Sequence, residues 1–290
     1  MPNLLEISGE YHAARHRVRL KYLEQLHSLT GRNIIVYYSG WLQKPNAPNA
    51  VIALRDIDVH GFMSVINGLD RDEGLDLILH TPGGEVAATE ALVNYLRSMF
   101  GVNIRVIVPQ IALSAGTMIA CAAKTILMGK HSSLGPIDPQ IMGIAAHGVV
   151  REFQRAYEEI KEDPAKIYVW RPIIAQYHPT LVGKCEQAID WAEELAAKWL
   201  ETGMLKNDKT KAKKIAGVLA NHHKTKSHSR HLSAEFCKKL GLKVEMIEEN
   251  QELQDAVLSV HHVFILTLMQ TSAAKLIMNH KGIDVVENIG

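Results

Sequence analysis

Cysteine is scarce: Cys121, Cys185 and Cys237 are too few and too scattered for a disulfide framework or a Cys-x-x-Cys metal site. They are expected to be packing residues in a reducing compartment. Net charge is also small. The 32 lysines and arginines stand against 31 acidic residues, which excludes the basic profile of a dedicated nucleic-acid binder. No run of about 18 apolar residues occurs. Val257 to Met278 comes nearest, but His261, His262, Gln270 and Lys275 interrupt it, so no membrane-spanning helix is expected. The opening MPNLLEISGEYHAARHRVRLKY carries charge every few residues, unlike a signal peptide. No Gly-x-Gly-x-x-Gly follows a strand pattern, which removes the dinucleotide-binding class. His222, His223, His228 and His231 cluster without an HExxH spacing or a cysteine pair, so no metal and no other cofactor is expected.

What is present is an ordinary globular balance, 47% hydrophobic and 22% charged, in a length that suits one large α/β domain with appendages. Residues 10 to 29 read as an amphipathic helix with Val18, Tyr22, Leu26 and Leu29 on its packing face. Asn33 to Tyr38 is the first expected strand and Asp56 to Leu69 a helix capped by Asp56 or Asp58. Strand and helix then alternate to about Met142, the pattern of a parallel sheet. Beyond Val150, helices are expected over 151 to 161 and 181 to 200, flanking an irregular stretch with Pro164, Pro172 and Pro179. Lys206 to Lys214 reads as a solvated loop and helix start, and 243 to 247 as a last strand. Residues 250 to 280 read as a helical tail whose Leu253, Val257, Val260, Phe264 and Leu268 stripe needs a partner surface.

The chemistry is concentrated in two turns. Leu77 to Leu79 is a short buried strand stopped by Thr81, Pro82, Gly83 and Gly84, and a helical pattern starts at Glu85. Thirty residues past Gly84, Ser114 stands between the strand Ile104 to Val108 with its loop and the small-residue helix from Ala115. A serine there is a candidate nucleophile at a strand-to-helix elbow, and the amides of Gly84 and Ala115, with Gly83 beside them, are candidate oxyanion donors. A plain helix N-cap is the other reading of Ser114.

Three blocks in this order, HTPGGEVAATEALVNYL, VPQIALSAGTMIACAA and SSLGPIDPQI, resemble the Clp protease and crotonase superfamily. More closely they resemble the serine dehydrogenase proteinase family, relatives of signal peptide peptidase A, over roughly Asp76 to Val244. The resemblance implies an α/β fold of stacked ββα units in a spiral, with helical N- and C-terminal extensions. The divisions expected are an arm over 1 to 30, a catalytic domain over 31 to 248 and a tail over 249 to 290. It implies an ATP-independent serine peptidase, acting on peptides or unfolded protein and forming a homo-oligomer. Gly135, Pro136, Ile137 and Asp138 would form the substrate-binding wall, along which a peptide could add as a strand. Relatives that work on membrane proteins usually carry an anchor, so a cytoplasmic location is expected here.

A serine hydroxyl needs a base. Related peptidases suggest Lys184, although the closest family carries its lysine where this chain has Gln187. That family also has Thr-His-Asp where Ser227, His228 and Ser229 stand, which makes His228 the second candidate without an adjacent acid. His131 is a third. His80 is expected near the cleft as a hydrogen-bonded structural histidine. Two rival functions share this fold: an acyl-CoA enzyme that uses the paired amides to hold a thioester enolate, and a non-catalytic scaffold.

Overall fold

Strands such as NIIVYYS at 33 to 39 and LDLILH at 75 to 80 are buried at every position, as a mostly parallel sheet with helices on both faces requires. The computed structural model describes residues 4–141 and 143–289, with side chains from Ala14 onward except that of His223. The first three residues of the expected arm, Met142 at the end of the expected alternation, the side chain of His223 and the last residue of the expected tail therefore lie outside what is described.

In chain order the helices are α1 (Leu4–Thr30), α2 (Asn49–Ile52), α3 (Asp56–Ile66), α4 (Val86–Phe100), α5 (Ala115–Cys121), α6 (Ala146–Glu162), α7 (Ile167–Ile174), α8 (Leu181–Thr202), α9 (Lys209–Leu219), α10 (His222–Thr225), α11 (Ala234–Leu240) and α12 (Gln251–Gln270). The strands are β1 (Asn33–Ser39), β2 (Leu75–His80), β3 (Ile104–Val108), β4 (Ile111–Ala112), β5 (Thr125–Met128), β6 (Ser133–Leu134), β7 (Gln140–Ile141), β8 (Ile144–Ala145), β9 (Leu232–Ser233), β10 (Val244–Met246), β11 (Ala273–Asn279) and β12 (Asp284–Asn288).

The large sheet has the order β10-β5-β3-β2-β1-β11-β12, its first five strands parallel and its last two antiparallel. Because side chains alternate along each strand, Leu75, Leu77 and Leu79 of β2 enter the core beneath α3, α4, α5, α8 and α9, whereas Ile78 enters the core beneath α1 and α12. A second sheet, β4-β6-β9, is tied to the end of β2 by a bridge between Thr81 and Ala112. At the opposite end of β2, buried Asp76 accepts from Arg32 Nε at 2.6 Å and from Arg105. Two guanidiniums thus balance one carboxylate removed from water.

The C-terminal end differs from the helical extension expected. α1 is a packing helix, with Leu23 and Leu26 against Val257, Val260 and Phe264 of α12 on one face of the sheet. Its buried face is that of Arg19, Leu23 and Leu26, while Val18 and Leu29 of the expected face are exposed. The segment 249 to 290 is not a helical tail. After α12 the chain turns into β11, which pairs along β1 with Ile35 opposite Asn279, and then into β12. The reversal is made at Gly282, where φ is +85°, a conformation that suits glycine. Lys275 inside β11 is tolerated because its amine meets Asp58 Oδ1 at 2.9 Å and Glu287 Oε2 at 3.1 Å. Over 164 to 179 the expected irregular stretch contains α7, with Pro172 inside it. α3 starts after Arg55, whose N–H donates to Asp58 Oδ2 at 2.9 Å, so Asp58 reaches back to cap the helix.

Candidate active site

Two turns at the ends of β2 and β4 are locked together by main-chain bonds. Thr81 N–H donates to Ile111 O at 3.3 Å, and Leu113 N–H donates to Thr81 O at 3.0 Å. A Cβ on Gly83 would lie 2.7 Å from Ser114 Cβ and 3.1 Å from Ala115 N, so the Pro-Gly-Gly turn sits directly against the serine. Gly83 also has φ +108°. Both facts require glycine there. Gly116 is required by packing as well, since a Cβ would meet Thr81 Cγ2 at 2.7 Å. Thr117 completes the Ser-Ala-Gly-Thr block by donating its hydroxyl to Ala112 O at 3.1 Å and accepting Gly135 N–H at 2.9 Å.

Ser114 has φ +49° and ψ −111°, a conformation unusual for any residue with a side chain. Such geometry costs about 1–3 kcal/mol and makes a sharp elbow between a strand and a helix. Its hydroxyl makes no capping bond to α5, which sets aside the N-cap reading.

Peptide planarity aims the two amides. Gly83 C=O accepts from Leu54 N–H at 2.8 Å, and Glu85 N–H donates to Leu54 O at 3.0 Å. Across the trans peptide, Gly84 N–H points opposite to Gly83 C=O, away from Leu54 and out of that ladder. Gly84 is glycine because a Cβ would fall 2.2 Å from Leu54 O. Ser114 C=O accepts from Met118 N–H at 3.0 Å, so Ala115 N–H points out of the first turn of α5. Among the described residues neither amide has a hydrogen-bond acceptor. Gly83 differs: its N–H donates to Thr81 Oγ1 at 3.1 Å, so it is a spacer and not a donor.

Ser114, Gly83, Gly84 and His228 line one cavity of about 830 Å³. Its walls include Ile52, Arg55, Glu85, Val86, Met118, Ile137, Ile141, Ala188 and Trp191. His228 Nδ1 lies 2.9 Å from Asp138 Oδ1. An ionised carboxylate only accepts, so the imidazole donates from Nδ1, which leaves Nε2 as the nitrogen able to exchange a proton. Asp138 is 1% exposed and also accepts from His222 Nδ1 at 2.9 Å on Oδ2. The acid missing at Ser229 is thus provided from 90 residues away.

Other expected positions fall elsewhere. Lys184 is exposed on α8 and is not among the residues lining the cavity, which the same helix reaches one and two turns later through Ala188 and Trp191. Of the expected wall, Ile137 lines the cavity, whereas Gly135 and Pro136 are buried behind it. Gly135 has no room for a Cβ beside Leu113 Cδ2, at 2.7 Å. Asp138 faces its two histidines and not the lining. His131 is exposed outside the lining. His80 was expected near the cleft with a hydrogen bond. Strand alternation instead turns it toward α12, where it is fully buried against Trp41, Tyr38 and His261, with ring centroids 4.5, 5.4 and 5.6 Å away. Neither ring nitrogen has a partner among the described residues, and burial pushes its pKa down to about 3. Burial pushes Cys121 and Cys237 up to about 12, so both remain neutral packing thiols. Among the described residues no three His, Cys, Asp or Glu side chains group as metal ligands, and no helix is long and apolar enough to cross a membrane.

The sequence reading missed the pairing of Asp138 with His228 and the Leu54 backbone that bridges to Gly84. The Asp within SLGPIDP was visible, but nothing in local spacing links it to residue 228.

Residues 53–257 match a family model described as ClpP-like SDH-type serine proteinase. Two uncharacterised proteins of Methanocaldococcus jannaschii are each 30% identical to the chain, over 188 and 187 residues. Those alignments cover 65% and 64% of this chain but 59% and 57% of the relatives, so the chain spans a little under three fifths of their length. Among solved structures, a mutant of the 1510-N membrane-bound stomatin-specific protease is similar at 19% identity and a TM-score of 0.41. The likeness covers 70% of this chain and 79% of that one.

Proposed function

The chain belongs to the ClpP-like SDH-type serine proteinase family, and from that premise we propose that it is an ATP-independent serine peptidase with Ser114 as nucleophile and His228 as base. Ser114 Oγ attacks the peptide carbonyl while His228 Nε2 takes its proton. Gly84 and Ala115 N–H hold the oxyanion. His228 then protonates the leaving amine, and water, activated by the same imidazole, releases the acyl group. Asp138 keeps the imidazole in the tautomer that accepts at Nε2 and stabilises the imidazolium.

One observation carries this reading: a strained serine, with the acceptor-free Ala115 amide next to it in the chain, shares a cavity with the acceptor-free Gly84 amide and with a histidine already oriented by a buried carboxylate. The chemistry needs no nucleotide, and the apolar lining from Val86, Met118, Ile137, Ile141 and Trp191 suits a hydrophobic side chain of a peptide or unfolded protein. Self-association belongs to the reading, with exposed Tyr157, Tyr168 and Val169 of α6 and α7 as available apolar surface. So does a reducing compartment such as the cytoplasm, which three free cysteines fit.

A fluorophosphonate probe, peptide mapping and a quenched unfolded-protein substrate test the proposal. Labelling at Ser114 with nucleotide-insensitive turnover is expected, both lost in Ser114→Ala and turnover reduced at least about 10³-fold. Thioester turnover without labelling would instead indicate an acyl-CoA enzyme, and neither activity a scaffold.

A further inference from the structure

The carboxylate behind the base is shared. Asp138 presents Oδ1 to His228 Nδ1 and Oδ2 to His222 Nδ1, each at 2.9 Å, and Gln140 Nε2 adds a third donor 3.1 Å from Oδ2. The terminal torsion of an aspartate is intrinsically broad. A donor on each oxygen removes that freedom. The two histidines come from α10 and the loop that follows it. Ile137 N–H donates to Leu219 O at 3.0 Å, which ties the end of α9 to the residue before Asp138. Lys226, at φ +74°, reverses the chain with its N–H on His222 O at 2.7 Å, so residues 222 and 228 approach Asp138 from the two sides of that turn.

We propose that His222 is a positioning residue of this site, one that fixes the Asp138 carboxylate toward His228 and sets how much of its charge His228 receives. The proposal rests on the serine-peptidase reading for its kinetic consequences, but the shared carboxylate is itself a measurable property of the protein. Removing His222 leaves Oδ2 with Gln140 alone, so the carboxylate is held less firmly and its charge falls more fully on His228. Other charged or titratable groups nearby are His147 of α6, whose Nε2 meets Ala220 O, Lys224 and Arg230 on the loop, and Arg55 and Glu85 lining the cavity.

The test uses fluorophosphonate labelling of Ser114, in which the Oγ–P bond forms, fluoride leaves and the serine proton passes to His228. Pseudo-first-order rates from pH 5 to 9 are compared for the natural chain, His222→Ala and His222→Asn. In His222→Ala the acid limb is expected to move up by at least half a pH unit and the plateau rate to fall about tenfold. In His222→Asn, whose amide can still donate to Oδ2 but cannot take a proton, the plateau is expected within about threefold of the natural rate. A His222→Ala profile that superimposes on the natural one overturns the proposal, as does a lowered plateau with an unmoved limb, which is what a purely structural histidine would give. Ring titrations followed by NMR keep the two readings apart. If Ser114 is never labelled but the His228 titration rises in His222→Ala, the peptidase reading falls and the shared carboxylate stands. If the His228 titration is the same in both proteins, His222 has no such role.

Discussion

Three buried histidines make the fold sensitive to mild acid. His80, His261 and His280 are 0%, 8% and 5% exposed, and burial lowers their pKa values to about 3, 4 and 4. Each has a structural reason to stay neutral. His80 has no acceptor for a proton on either nitrogen among the described residues. His261 Nδ1 lies 3.0 Å from the Tyr38 hydroxyl inside the layer under α12, with His262 and His131 adding repulsion to its burial. His280 Nδ1 accepts Ile34 N–H at 3.2 Å, which an imidazolium could not do at that nitrogen, and its ring stacks on His27 at 4.0 Å. In the unfolded chain each titrates near 6.5. Between pH 6.5 and about 4 the unfolded state therefore binds about one more proton per group than the folded state, and stability falls as pH falls. From pH 7.5 to 5.5 each group is expected to cost about 1.4 kcal/mol, about 4 kcal/mol for the three. That is a large part of a typical stability of about 5–15 kcal/mol. Urea unfolding at the two pH values, with unchanged m-values, measures it. His261→Gln should recover about a third of the pH-dependent loss. A loss below about 1 kcal/mol over this range would show that the imidazoles ionise in place, and the account of the α12 layer would be wrong.

Gly83→Ala places a Cβ 2.7 Å from Ser114 Cβ at a position with φ +108°, so fluorophosphonate labelling should drop by at least about 10²-fold while the circular dichroism spectrum stays native. Asp76→Ala leaves Arg32 and Arg105 facing each other without their shared carboxylate and is expected to cost about 3 kcal/mol, read as a lower urea midpoint with labelling at Ser114 intact under native conditions.

The parts of this molecule that were legible in its sequence are those whose causes are local. DLILHTPGG contains its own explanation: consecutive apolar residues make a doubly buried strand, and two glycines leave a backbone that can approach Leu54 on one side and Ser114 on the other. Ser-Ala-Gly-Thr is similar, since a strained serine, a missing Cβ and a bridging hydroxyl all act within one turn. The C-terminal strands were illegible for a physical reason. AAKLIMN has the apolar content of a helix continuing α12, and its lysine argues against a central strand until Asp58 and Glu287 are seen to neutralise it. The proposed base was hidden in the same way. Lys184 and His228 are both plausible by type, and what separates them is a carboxylate 90 residues upstream that one reaches and the other does not. Sequence patterns encode the proposed nucleophile and its amides because a turn fixes them. They do not encode the proposed proton path, because that is assembled by the packing of α10 and the loop after it against the segment that follows β6.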